Sequence, residues 1–221
     1  MRVSVVIPAL NEARALPTLL GQLAAADEVL VVDGGSTDAT VRIARDAGAA
    51  VLEAPRGRGR QLAAGAAAAT GDVFWFLHAD TGVPSGALDA LRAADAPWGC
   101  FSVRIPSDDV RLRAATAIMN VRARRTGSCT GDMGIWARRA FYADIGGFPP
   151  LDALEDLVFS DKARARDRGA VLAPVLTTSA RRWEERGVAR TLATMVTLRA
   201  AYRCGVAPAR LARLYRGAPR G

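Results

Sequence analysis

Residues 3–38 read VSVVIPALNEARALPTLLGQLAAADEVLVVDGGSTD, and the fold class is decided there. Residues 3–7 are a β-branched run closed by Pro8, the signature of a buried strand. Residues 12–25 then place Ala13, Leu16, Leu19, Leu20 and Leu23 at helical spacing. A second apolar run, 28–32, stops at Asp33-Gly34-Gly35, and Thr37 or Asp38 is expected to cap a helix reaching about residue 47. Strand, helix and strand follow one another with short polar turns, the pattern of parallel α/β units.

The alternation continues outward. Residues 49–53 read as a third strand and the Ala-rich 60–69 as a helix. Residues 73–77, VFWFL, form the most strand-like run and end at His78-Ala79-Asp80. A helix over 85–94 and a strand over 99–105 follow. The second half predicts helices over 108–125, 138–145 and 153–168, the last with Leu154, Leu157, Val158 and Ala165 facing inward. Residues 171–172 and 175–176 read as edge strands broken by Pro174, before helices over 187–204 and 208–215. The expected architecture is α/β, a mostly parallel central sheet flanked by helices with a helical C-terminal segment. It divides into a main domain over 1–185 and an extension over 186–221 that packs on that domain, a partner or a membrane surface. The chain is too short and irregular for a (β/α)8 barrel of roughly 250 residues.

Composition narrows the class further. With 221 residues, 50% hydrophobic and 24% charged, the chain can bury one substantial core, which excludes global disorder. Three widely spaced cysteines exclude a disulfide scaffold and lack metal-site spacing, so a reducing compartment is expected. No apolar stretch approaches the roughly 18 to 20 residues of a membrane span. Residues 1–10 lack the layout of a signal peptide. The expectation is a cytoplasmic protein, with peripheral contact at the inner membrane surface or a homodimer through the helix over 187–204. The net charge of +8 is uneven: residues 1–110 carry −4 and residues 111–221 carry +12. Such a basic half attracts phosphates or anionic lipid. No specific nucleic-acid motif accompanies it.

Three acidic sites follow strands or turns: Asp33, Asp80 and the pair Glu155-Asp156. A metal-bound nucleotide diphosphate needs a carboxylate for a hard divalent cation, donors around the phosphates, a base pocket and a carboxylate to activate the acceptor. Asp80 suits the first role. Residues 56–60, RGRGR, suit the second, with Arg58 and Arg60 as the leading groups and Gln61 beside them. This loop lacks the Gly-Lys-Ser/Thr ending of a P-loop and is not a dinucleotide fingerprint.

Taken in order, these residues resemble the family 2 glycosyltransferases of GT-A fold. The resemblance is carried by VSVVIPALNE at 3–12, VVDGGSTD at 31–38, FLHAD at 76–80, GDMGIWARRAFYADIGGF at 131–148 and LEDLVFSDKARARDRG at 154–169. APRGRGRQLAAGA at 54–66 and TTSARRWEERG at 177–187 are similar to a small bacterial subgroup of radical-SAM and selenium-associated transferases. The resemblance implies transfer of a glycosyl group from a nucleotide-diphosphate sugar, with Mn²⁺ or Mg²⁺, by an inverting route to an unidentified acceptor. It implies that Pro8, Ala9 and Glu12 border the nucleotide and that Asp33, Gly34 and Gly35 line the nucleoside pocket. Ala79 and Asp80 would lie at the metal-bridged diphosphate, with His78 in the first position of the DXD-type motif. Asp156 would be the general base with Glu155 as its neighbour, while Gly131 and Asp132 approach the acceptor. Arg182-Trp183 resembles the Arg-Trp of the QxxRW signature, placing Arg182 over the diphosphate and Trp183 on the acceptor side. The sequence departs from the family pattern at Gly34, where relatives carry a second acid, and at Ser179, where the glutamine of QxxRW stands. The readings set beside this one are a nucleotidyltransferase-like enzyme and a non-catalytic nucleotide-sugar or nucleic-acid-binding protein.

Overall fold

β1 (Val3–Ala9) is buried on both faces, as expected for a strand inside a parallel sheet. It lies between β2 (Glu28–Asp33) and β4 (Val73–Phe76), parallel to both. A computed structural model describes residues 1–217, with only the backbone given for Arg182, Glu185, Arg186 and Arg216. With β3 (Ala50–Glu53), β5 (Trp98–Arg104), β6 (Trp136–Arg138) and β7 (Ala170–Thr177), the sheet has seven strands in the order β3-β2-β1-β4-β6-β5-β7. Ala9 pairs with Asp33, and Val6 with Phe76, so β1, β2 and β4 end along one edge. The order reverses between β1 and β4, which opens a crevice at the carboxyl ends of those strands.

Helices cover both faces. α1 (Leu16–Gln22), α2 (Thr40–Asp46) and α4 (Ala87–Arg92) close over Val5, Ile7, Val31, Trp75 and Leu77. α3 (Arg58–Ala68), α5 (Val110–Thr126), α6 (Arg139–Asp144) and α7 (Glu155–Arg164) close the other face over Val6, Val32, Phe76, Phe148 and Phe159. A third cluster, Ile105, Leu112, Ala180 and Trp183, is packed by Val188 and Leu192. It seats α8 (Arg181–Arg186) and α9 (Val188–Arg203) against the start of α5, and α10 (Pro208–Gly217) follows. No helix among the described residues is long and apolar enough to cross a membrane.

Three differences from the sequence expectation have physical causes. The two edge strands are one strand, β7, because Phe101 pairs with Leu172 and Ser102 with Val175. Ala173 and Pro174 bulge out between them, where a proline without an N–H breaks no ladder bond. β6 is a three-residue strand antiparallel to both β4 and β5, too short to leave a periodic signal. In α7 the inward face is Glu155, Leu157, Phe159, Ser160 and Ala163, whereas Val158 is half-buried and Ala165 exposed.

α3 lies unusually close to the sheet. A β-carbon on Gly65 would stand 2.3 Å from Val6 Cγ1 and 2.8 Å from Val32 Cγ2. By contrast, Gly21 near the end of α1 has nothing within 4 Å of its added carbon. Alanine gains about 1 kcal/mol over glycine in a helix, but overpacking costs about 1–3 kcal/mol or more. Gly21→Ala is therefore expected to stabilise the protein by about 0.5–1 kcal/mol, and Gly65→Ala to destabilise it despite its better propensity. Urea unfolding of both variants checks this, and equal effects at the two positions would contradict the close approach of α3.

Candidate active site

The turn after β2 is held from within. Asp33, only 4% exposed, accepts hydrogen bonds on Oδ2 from the N–H groups of Gly35 and Ser36, each at 2.9 Å. Gly34 N–H donates to Ala9 O at 2.9 Å, and Gly35 takes φ 93°, a left-handed conformation that suits glycine. The adjoining loop is locked to this turn: Asn11 N–H donates to Ser36 Oγ at 2.8 Å, and Thr37 N–H to Asn11 Oδ1 at 2.8 Å. Asp33 thus braces the turn from behind and is not part of the crevice wall, although its Oδ1 is buried without a partner.

The crevice is a cavity of about 560 Å³ at the switch point of the sheet. Pro8, Ala9 and Glu12 line one part of it, and His78, Ala79 and Asp80 another. Arg58 faces it from the first residue of α3 and reaches Glu155 Oε1 at 3.4 Å. Asp132 and Trp183 also line it. Trp98 and Trp136 are fully buried packing groups.

Two expected donor contacts are turned elsewhere. Arg60 pairs with Asp152 and donates to Arg56 O at 3.0 Å, pinning the loop before α7 without lining the cavity. Gln61 borders the cavity, but its Nε2 donates to Ala9 O at 2.9 Å and Val32 O at 2.8 Å, clamping the ends of β1 and β2. The same amide crowds Gly34: a β-carbon there would lie 3.0 Å from Gln61 Nε2. The Arg182 side chain lies outside the described residues.

His78 faces inward between two neighbours. Its Nδ1 lies 3.1 Å from Asp132 Oδ1, and its Nε2 faces Gly131, where an added β-carbon would stand 2.7 Å away. The imidazole thereby braces the 131–133 turn at the cavity. Asp80 is a half-exposed carboxylate of the cavity lining. Among the described residues no three His, Cys, Asp or Glu side chains converge as a metal cage. A hard cation that takes one carboxylate plus phosphate and water oxygens fits such a donor set.

Glu155 and Asp156 open α7. Leu154, before them, is one of two non-glycine residues with positive φ among the described residues, at 65°, and the other, Asn11, flanks Glu12 at 55°. Backbone strain of this kind gathers where a site fixes side-chain direction. Asp156 Oδ2 accepts from Gly131 N–H at 2.8 Å, and Oδ1 accepts from Leu157 N–H at 2.8 Å. Together with Glu155, His78 and Gly131 it borders a small hollow beside the main cavity. Glu155 is completely buried, and its Oε2 has no partner. Burial pushes its carboxyl above the ordinary 4.5, Arg58 opposes that rise, and Asp156 adds to it.

Arg56 of the RGRGR loop and Ser179 also line the cavity, as do Asp152, Thr178, Met195 and Tyr215, for which no motif stands in the sequence. Arg181 spans the mouth, its Nη2 lying 3.2 Å from Glu12 Oε1.

A model of glycosyl transferase family 2 matches residues 4–105. An uncharacterized glycosyltransferase of Mycobacterium tuberculosis is 41% identical over 92 residues, 41% of this chain and 42% of that protein. An undecaprenyl-phosphate 4-deoxy-4-formamido-L-arabinose transferase of Enterobacter sp. is 33% identical over 156 residues, 62% of this chain and 48% of that protein. The chain thus spans under half the length of these curated relatives. Among solved structures, glucosyl-3-phosphoglycerate synthase of M. tuberculosis with Mg²⁺ and uridine diphosphate aligns with a TM-score of 0.63 at 20% identity, covering 93% of this chain and 80% of that one. S. aureus TarS 1–349 with UDP-GlcNAc aligns with a TM-score of 0.61 at 18% identity, covering 81% and 58%. The first half of the chain is thus similar in sequence to glycosyl transferase family 2, and most of its length shares a fold with these solved structures.

The buried carboxyl generates a pH dependence. From pH 4.5 up to its raised folded-state value, Glu155 binds more proton in the native than in the unfolded chain, so stability falls as pH rises through that window. Glu155→Gln removes that contribution. Urea unfolding of both proteins from pH 4.5 to neutrality is expected to show the wild type losing ground to the variant. A pH-independent difference would contradict the account.

Proposed function

We propose that the protein transfers a glycosyl group from a nucleotide-diphosphate sugar to an acceptor by a single, inverting displacement. The observation that carries this reading is one crevice bordered by Asp80 and Arg58, with Glu155 and Asp156 beside it. Pro8, Ala9 and Glu12 border the nucleotide, and the turn braced by Asp33 supports the nucleoside end. Asp80 would hold the divalent cation, which when bound offsets negative charge on the diphosphate. Arg58 stabilises the same charge as it grows on the leaving group. His78 acts through Asp132 and the 131–133 turn, holding the acceptor side in place.

Asp156, aimed by the N–H groups of Gly131 and Leu157, takes the proton of the attacking acceptor atom. A bond forms from that atom to the anomeric carbon, and the opposite bond to the diphosphate oxygen breaks, its electron pair leaving with the nucleoside diphosphate. Glu155 stays behind Asp156 and orients Arg58. α9 and α10 act as an extension that borders the cavity through Met195 and Tyr215, in the cytoplasm or at the inner face of a membrane. The relatives named for undecaprenyl-phosphate transfer make a lipid acceptor one class to screen. The resemblance of residues 54–66 and 177–187 to the radical-SAM and selenium-associated transferases adds thiol and selenol acceptors.

Thermal-shift titration with UDP, GDP, dTDP, ADP and CDP, each with Mn²⁺, Mg²⁺ or EDTA, tests the donor site, since a ligand of the folded state raises its apparent stability. UDP is the first candidate, because both solved relatives above were crystallised with uridine ligands. The expected result is a shift from one diphosphate that disappears with EDTA and in Asp80→Ala. A shift retained in Asp80→Ala removes Asp80 from the metal role. Asp156→Asn is expected to keep the donor shift while lowering kcat by about 10²–10⁴-fold. An unchanged kcat would overturn its role as base.

A further inference from the structure

Three large apolar side chains left in solvent stand on one helix. Val110, Ile118 and Val121 of α5 are 65%, 66% and 47% exposed. At about 100° per residue, Val110, Ala114, Ala117 and Val121 line up in one stripe along the helix, with Ile118 at its border. The two alanines are exposed as well. Leu112, on the opposite side of α5, is buried in the cluster that holds Trp183. The stripe is thus surplus to the core that the helix already serves.

Arginines frame this stripe. Arg113 and Arg124 follow one border and Arg111 and Arg125 the other, all four are exposed, and α5 carries no acidic residue. Arg124 and Arg125, in the last turn, suit the helix dipole. Arg111 and Arg113 open the helix, where a cation opposes the dipole. Asp109 compensates Arg111 through a pair of 2.6 Å, but Arg113 and Arg125 form no ion pair among the described residues. At the far end the exposed Arg168 donates to Arg124 O at 2.7 Å and to Arg125 O at 3.2 Å, which adds a further cation there. Helix stability therefore does not account for cations along the whole length of an apolar stripe.

We propose that α5 docks the protein on an anionic phospholipid surface, with the stripe in the interfacial region and the arginines on the headgroup phosphates. An apolar face bordered by arginine is the composition of a helix that lies in a membrane interface, and the long arginine stems let their heads reach the phosphates. Guanidinium forks match phosphate oxygens in geometry as well as charge. A second copy of the chain is the poorer occupant, because an isologous pairing of α5 with itself sets arginine against arginine on both borders. Trp183, in the cluster with Leu112, also lines the main cavity. A lipid surface on α5 therefore lies one helix thickness, about 10 Å, from that wall of the crevice. The docking face does not rest on the transferase reading.

The test is co-sedimentation of the full chain with vesicles of phosphatidylcholine alone and of phosphatidylcholine mixed equally with phosphatidylglycerol. Binding to the mixed vesicles only, weakening as salt is raised, is expected. Joint substitution of Arg113→Gln and Arg125→Gln is expected to weaken it roughly 25-fold, at about fivefold per arginine. Ile118→Asn is expected to weaken it about tenfold, while Val196→Asn on α9 and Leu214→Asn on α10, at positions 66% and 61% exposed, leave it unchanged. All the substituted side chains are exposed, so the variants keep the fold, which their thermal transitions read. Vesicle binding that is absent, indifferent to lipid charge, or equal to wild type in the α5 variants overturns the proposal. So does a dimer in sedimentation velocity that Ile118→Asn dissociates, found in place of vesicle binding, which gives the stripe to a second copy. Vesicle binding that depends on α5, without any thermal shift from UDP and Mn²⁺, would keep the docking face and sink the donor reading.

Discussion

A carboxylate with no exposure to water, Glu155, lies 3.4 Å from a guanidinium at the edge of the cavity, that of Arg58. The two residues are 97 positions apart. Each opens a helix, so their contact fixes where α3 and α7 begin relative to each other. Two further ties join the same places: Gly59 N–H donates to Leu151 O at 2.9 Å, and Arg60 pairs with Asp152. A buried acid that lost Arg58 would stand uncompensated, which is far costlier than losing a surface pair. The phosphate-facing end of α3 and the acid pair of α7 are therefore positioned as one unit.

Much of the fold was legible because its parallel strands are buried on both faces and read as continuous apolar runs. Residues 3–7, 28–32 and 73–77 all became strands in the inner sheet. What escaped was structure specified by distant partners. β6 is three residues long, held by Trp75 on one side and Gly99 on the other, and neither neighbour is visible from residues 136–138 alone. The inward face of α7 was misread because apolar spacing assigns charges outward, whereas Glu155 turns its carboxylate into the protein.

The candidate site was legible where an acid or arginine follows a strand or starts a helix. Asp80, Arg58 and Asp132 share one cavity, and Glu155 and Asp156 border the hollow beside it. Arg60 stands two positions from Arg58 yet points elsewhere, because helical geometry turns successive residues about 100° apart, whereas Gln61, three positions on, shares the crevice side. Its amide is drawn to the carbonyls of Ala9 and Val32 at the ends of the two strands. Asp152, Met195 and Tyr215 carry no motif. They reach the cavity only through the path of the chain after β6.

The thinness of α3 bears on how such a protein can change over generations. Its inner residues Gly65 and Ala66 are buried against the sheet, while Ala67 and Ala68 on the outer side are exposed. A methyl group added on the inner side would push the whole helix outward, and with it the first-turn arginine that meets Glu155. A side chain added on the outer side would displace nothing. The helix therefore divides heritable variation by side: lineages are free to repaint its exterior, while drift on its interior is transmitted undiluted to the geometry of the crevice.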